Sequence, residues 1–412
     1  MADSLVTLDH IRAHLDSIDL DVRVSQNGRW IDQKVTPDVL SAVADAVLNH
    51  RLGSPDKEFT MASLWEDPRL DEIMREVFSK PGLENPSANN EYDKVISQPL
   101  LALSYAKVID LHKRSGRNFF KLNHSVGILK FIAHREVNAY KYLCLYLPKV
   151  LKDSGEWQYF DRFIDSGRAG IVSSSDYSEL KNRFVAFTIK NTRINNEVEA
   201  RRIFTKVLNP IACQYGIRGT YRGRLSPHKI NYSELLYNRD NFRDLDKDKG
   251  LTREEYRQAL NLNPAFKYTV NKAVKQIRER YAETELLDGS EITRETVIHH
   301  IFMKHERPFI AGHLENLVSL TPNQHVTKAH PSMNFSVIDP GYQKLFILKK
   351  VADTRQSEND RDGFYTKEGL IEVLNVGLGG NHFHESDSYS EITTKIGKIY
   401  LDRYSIPSQP PL

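Results

Sequence analysis

Apolar residues recur at three- and four-residue intervals over residues 5–15 and 37–50. This spacing predicts two amphipathic helices, the second with Pro37 near its start and Thr36 as a cap. The same pattern runs through 97–150 with a break near Ser115 and Gly116, and returns over 191–215, ending near Gly216. Residues 151–190 are mixed. Gly155, Gly167 and Gly170 punctuate them, and the run from Phe184 to Ile189 reads equally as a short strand or a helical turn. Residues 216–232 are irregular and basic. A helix is predicted over 252–283, opened by Thr252 and Glu255 at capping-box spacing. The last stretch predicts one helix near Thr366 to Val376, closed by Gly377, and a frayed Pro-Ser-Gln-Pro-Pro-Leu end. No internal repeat is visible. The pattern predicts an α+β chain that is mostly helical in its N-terminal and central regions.

Between 286 and 335 the texture changes to short apolar runs rich in histidine. With loop chemistry from Gly82 to Asn90, this divides the chain into four regions. These are a helical N-terminal region (1–90), a mostly helical middle (91–285), the histidine-rich segment (286–335) and a helical C-terminal extension (336–412).

Composition narrows the classes. The 412 residues carry a net charge of only +3, with 40% hydrophobic and 27% charged side chains, so sizeable cores are affordable and a disordered polyelectrolyte is excluded. Two cysteines, Cys144 and Cys213, exclude a disulfide framework and a multi-cysteine zinc site. No stretch is apolar enough to span a membrane, and no basic-then-apolar leader opens the chain. A soluble cytoplasmic protein without a membrane partner is expected. The small net charge is a cancellation. Residues 1–100 hold 10 basic and 18 acidic side chains, 101–350 hold 41 and 26, and 351–412 hold 6 and 10. A basic middle between acidic ends points to a polyanionic partner, because charge acts locally over about 8–10 Å in ordinary salt.

The chemistry concentrates in the histidine-rich segment. His299 and His300 close a β-branched run, so they are expected at a strand end. Asn316 opens a second apolar run, Leu317 to Leu320, able to pair back as a hairpin. A helix is predicted after Pro322, with His325 in its first turns. Such imidazoles can hold one divalent cation and leave one free base, a division of labour that suits phosphodiester hydrolysis.

His299-His300-Ile301, Asn316-Leu317-Val318-x-Leu320 and His325-x-x-Lys328 together resemble the HNH, or ββα-metal, nucleases over roughly a tenth of the chain, residues 292–330. The resemblance implies an embedded ββα-metal core. It also implies His299 and His325 as metal ligands, His300 as general base, Asn316 as the brace of the base-bearing loop, and Lys328 at phosphate. The implied cofactor is a divalent cation, magnesium first, with manganese, cobalt or nickel as alternatives. Several positions depart from the family pattern. Met303 stands where many members have Pro, and only Gly312 remains of a glycine pair. His299 replaces a frequent Asp. Thr321 and Gln324 stand where many members carry zinc-binding cysteines, so no structural zinc is expected.

Other motifs are weaker. Asp165 with Glu179 and Lys181 mimics a second nuclease signature, but Asp176 to Glu179 reads as a helix start. Asp244, Asp246, Asp248 and Glu255 imitate a calcium loop with Lys249 where glycine is needed. His382, His384 and Glu385 read as an exposed loop, and Gly377-x-Gly379-Gly380 lacks the context of a phosphate loop. For DNA contact the candidates are Arg201, Arg202, Arg218, Arg222 and Arg224, the last three in a flexible cationic loop. A second basic stretch, 105–146, interleaves cations with aromatics that read as core. The plan as a whole resembles a stand-alone type II restriction endonuclease acting on double-stranded DNA, with a cognate methyltransferase expected genetically. Cutting both strands implies a homodimer or two successive nicks. The alternatives are a loosely specific HNH nuclease of a mobile element or phage-defence system, and a non-catalytic DNA-binding protein.

Overall fold

A computed structural model describes residues 6–51, 54–65, 70, 78, 89–237, 264–286, 295–304, 306–330 and 338–404. Those from Val6 to Asp244 form one compact unit and those from Leu245 to Leu412 another. Both are predominantly helical with small antiparallel sheets, an α+β composition. Among the described residues, no helix is long and apolar enough to cross a membrane.

The first unit begins with α1 (Leu8–Asp16), α2 (Val22–Ser25), α3 (Pro37–His50), α4 (Met61–Trp65) and α5 (Asn89–Tyr105). A hairpin of β1 (Ile109–Arg114) and β2 (Arg117–Leu122) follows, then α6 (Val126–His134), α7 (Glu136–Asp153), α8 (Trp157–Arg168), α9 (Ser174–Asn191) and α10 (Glu197–Gln214). A second hairpin, β3 (Arg218–Tyr221) with β4 (Arg224–Lys229), comes last. Helix α3 is buried on nearly every face, with Val39, Leu40, Val43, Ala44 and Val47 in the core, and it packs against α6 and α7. An aromatic core gathers Trp30, Phe160, Phe184 and Phe204. Phe120 and Phe131 are buried too, so those aromatics of the basic stretch are core.

The structure corrects several sequence expectations here. The break at Ser115–Gly116 is a whole hairpin. Both turn residues have positive φ, 48° and 78°, the backbone that a two-residue turn needs between right-twisted strands. The cationic loop near Gly216 is a hairpin for the same reason, with Arg222 at φ 49° and Gly223 at φ 76°. The ambiguous run from Phe184 to Ile189 is helical, within α9. Glu179 and Lys181 sit two positions apart on that helix and face different sides, so the second nuclease signature is not assembled.

The second unit contains α11 (Pro264–Arg280), a pair of strands β5 (Val297–His300) and β6 (Leu317–Leu320), a π-helical turn (Gln324–Ala329), α12 (Pro340–Asp360), α13 (Lys367–Leu378) and α14 (Tyr389–Tyr404). Strand β5 pairs antiparallel with β6, His299 opposite Val318 and His300 opposite Leu317. Val318 and Leu320 join Phe302, Phe346, Ile347, Leu374, Ile392 and Ile396 in one core, which seats the hairpin on α12–α14. The single helix expected after residue 336 is therefore one of three. Helix α13 ends at Gly379 (φ 70°) instead of Gly377. Gly377 is internal and close-packed: a Cβ there would lie 2.3 Å from the Phe302 ring. The calcium-loop imitation, the Thr252–Glu255 capping box, the loop around Gly82 and the terminal Pro-rich residues lie outside the described residues.

Candidate metal centre

Strand alternation separates the two adjacent histidines, because successive side chains leave opposite faces of a strand. His299 turns into the core, 4% exposed, against Phe346, His325 and His330. His300 turns the other way and lies 3.2 Å, through Nε2, from the carbonyl of Ala311. A carbonyl only accepts, so that contact assigns the proton to Nε2 and leaves the Nδ1 lone pair as the basic site.

The three rings of His299, His325 and His330 meet edge to face, with centroids 5.2, 5.0 and 4.9 Å apart. One ring nitrogen from each lies within 4.8 Å of the other two. The buried Nε2 of His299 has no hydrogen-bond partner. An unsatisfied buried polar atom costs on the order of 1–3 kcal/mol, and a cation is the partner such a nitrogen fits. Burial, and then the neighbouring imidazoles, hold the pKa of His299 well below the ordinary histidine value. Burial and His330 lower that of His325. Both are therefore held neutral, the form that ligates metal. His300 is pushed down to about 4 by burial and by nearby Lys304, against the opposing effect of the Ala311 carbonyl.

Sequence reasoning missed His330, which stands five residues after His325. On an α-helix that spacing places two side chains roughly 140° apart. The π-helical turn over Gln324–Ala329 rewinds the chain and brings the two rings together. The crowding of six histidines between 299 and 330 was the available signal.

Asn316 is fully buried and ties both ends of the loop between β5 and β6. Its Nδ2 donates to the carbonyls of Phe302 (3.1 Å) and Ile310 (3.2 Å), and its Oδ1 accepts from the Phe302 N–H at 2.8 Å. Only a planar amide supplies donors and an acceptor in that arrangement. The loop it closes also carries Ala311, which orients His300.

A hydrogen-bond knot occupies the positions where the resemblance would place zinc-binding cysteines. Gln324 Oε1 accepts from the Thr321 N–H (3.0 Å) and the Thr284 hydroxyl (2.7 Å), and its Nε2 donates to the Leu286 carbonyl (2.7 Å). Beside it, Glu285 accepts from the Ser319 N–H of β6 (2.8 Å) and pairs with Lys350, which is fully buried and also donates to Tyr365 Oη at 2.6 Å.

The DNA-contact candidates lie mostly in the first unit. Arg222 and Arg224 are exposed at the β3–β4 tip, Arg222 over the Tyr221 ring at 5.3 Å. Arg218 is half-buried and donates from Nε to the Ser226 carbonyl (2.5 Å), so it braces the hairpin. Arg201 pairs with Glu197 (2.6 Å), and Arg202 is exposed on the same helix. Lys328 belongs to the second unit, on the π turn, with Nζ 5.9 Å from the centre of the Tyr342 ring. Comparison with protein-family models, with curated proteins and with solved structures finds no match for this chain.

Proposed function

We propose that the second unit carries a ββα-metal (HNH) nuclease core and that the protein hydrolyses phosphodiester bonds of duplex DNA in the cytoplasm, as a type II restriction endonuclease. One observation carries this reading. Two adjacent histidines are separated by strand alternation into a three-imidazole cluster with an orphaned nitrogen and a solitary, tautomer-fixed base. The order strand, Asn-braced loop, strand and helical turn supports it.

His299, His325 and His330 would hold the cation. Three imidazoles without a carboxylate suit first-row transition ions better than magnesium, which prefers oxygen donors. Manganese, cobalt, nickel or zinc therefore moves ahead of magnesium. Bound there, the cation supplies Lewis-acid polarisation of a phosphoryl oxygen and stabilises charge on the leaving alkoxide. His300 takes a proton from the attacking water at Nδ1, and its depressed pKa keeps it unprotonated at neutral pH. Asn316 holds the loop that orients His300, and Lys328 contacts phosphate. Arg222 and Arg224 hold duplex backbone.

Incubation with plasmid and each of magnesium, manganese, cobalt, nickel and zinc tests the reading. Discrete bands are expected. A smear indicates the loosely specific effector instead, and no cleavage with any ion overturns the enzyme assignment. His300→Ala is expected to abolish cutting while metal and DNA binding persist.

A further inference from the structure

The β1–β2 hairpin presents a charge arrangement that its own folding does not explain. From Lys107 to Arg135 the chain carries seven Lys and Arg and one acid, Asp110. The register sorts the hairpin's side chains onto two faces. Ile109, Leu111, Phe120 and Leu122 share the inner face, where Phe120 stacks on Phe59 at 5.6 Å. Phe59 and Phe120 also exchange two backbone hydrogen bonds of 2.8 Å, so the root of the hairpin is anchored. Asp110 is taken up at that root by Asn123, at 2.9 Å.

The outer face carries Lys121, the cross-strand pair His112 and Phe119, and at the tip Arg114 directly opposite Arg117. All residues from His112 to Arg117 are exposed. Like charges facing each other across a ladder destabilise a hairpin. Arg114 is partly compensated, by Glu58 at 2.6 Å and by the Phe119 ring at 5.2 Å. Arg117 is not compensated: its guanidinium makes no hydrogen bond or ion pair among the described residues. Two guanidinium forks on a rigid mirror-type turn are matched by closely spaced anions, and a two-stranded ribbon has the width of a major groove.

We infer that the β1–β2 hairpin is a duplex-DNA-binding finger, with Arg114 and Arg117 seated on backbone phosphates. The choice of DNA as the polyanion rests on the nuclease reading above, whereas the location rests on the hairpin alone.

The test uses the full chain carrying His300→Ala, so that substrate survives, and a fluorescein-labelled duplex titrated at several salt concentrations. Each phosphate contact contributes about 0.9 to the slope of log affinity against log salt. Arg117→Ser is expected to lower that slope by about 1, and Arg114→Ser with Arg117→Ser by about 2. Thermal midpoints should stay level or rise for Arg117→Ser, the opposite of what a structural arginine would give. Arg117→Lys, which keeps the charge, should restore the slope. An unchanged slope and affinity in the serine variants overturns the inference, as does a lysine variant that binds as poorly as serine. So does a parent protein that does not bind duplex at all. If the parent binds with the expected slope losses while the protein with His300 intact cuts nothing, the finger stands and the nuclease reading falls.

Discussion

His325 and His330 are five residues apart, yet their rings meet edge to face with centroids 4.9 Å apart. The π turn between them makes the contact, and two imidazoles held this close can share one ion. His330→Ala should therefore weaken cobalt binding by more than the roughly 10–100-fold that loss of a mere supporting partner costs. Competition against a chelator, followed by the visible absorbance of bound cobalt, measures it. Parent-like affinity would remove His330 from the ligand set.

Asn316→Asp should be costly out of proportion to its size. The carboxylate cannot donate to the carbonyls of Phe302 and Ile310, and it would place charge in a fully buried position. Leaving such groups unpaired is expected to cost about 2–4 kcal/mol in urea unfolding, with cleavage lost as well because the loop orients His300. A stability within experimental error of the parent would rule out the bracing role.

Glu285 and Lys350 form a fully buried ion pair under β6. Removing one partner strands the other. Lys350→Met alone should destabilise the second unit by about 3–5 kcal/mol, whereas Lys350→Met combined with Glu285→Gln should recover much of that loss. Chemical denaturation of the three proteins decides it, and additive losses would show that the pair is not coupled.

Cys144 gives a pH signature in the first unit. Burial pushes its thiol up to about 12. The thiolate is the reactive form, and a raised pKa makes it scarce at all lower pH. Reaction of Cys144 with a disulfide reagent on the folded protein should be slow at pH 8 and climb about tenfold per pH unit without levelling by pH 10. Half-buried Cys213 should react first. Two equally fast thiols at pH 8 would contradict the buried setting of Cys144.

The sequence by itself determined the helices whose apolar spacing is regular, such as α1, α3 and α10, because periodicity is a local property. It also singled out His299, His300, Asn316 and His325 through their order and spacing. It could not determine what depends on contacts between distant residues. The two hairpins of the first unit were hidden because their cations mask the two-residue alternation, and only positive φ at Ser115 and Arg222 reveals the turns. Helices α12 and α14 were missed because their apolar stripes make sense only against the β5–β6 core. His330 was hidden by a local change of helical pitch. Above all, the tertiary structure decided the roles of adjacent histidines: the pleat of β5 gives His299 to the imidazole cluster and His300 to the Ala311 carbonyl.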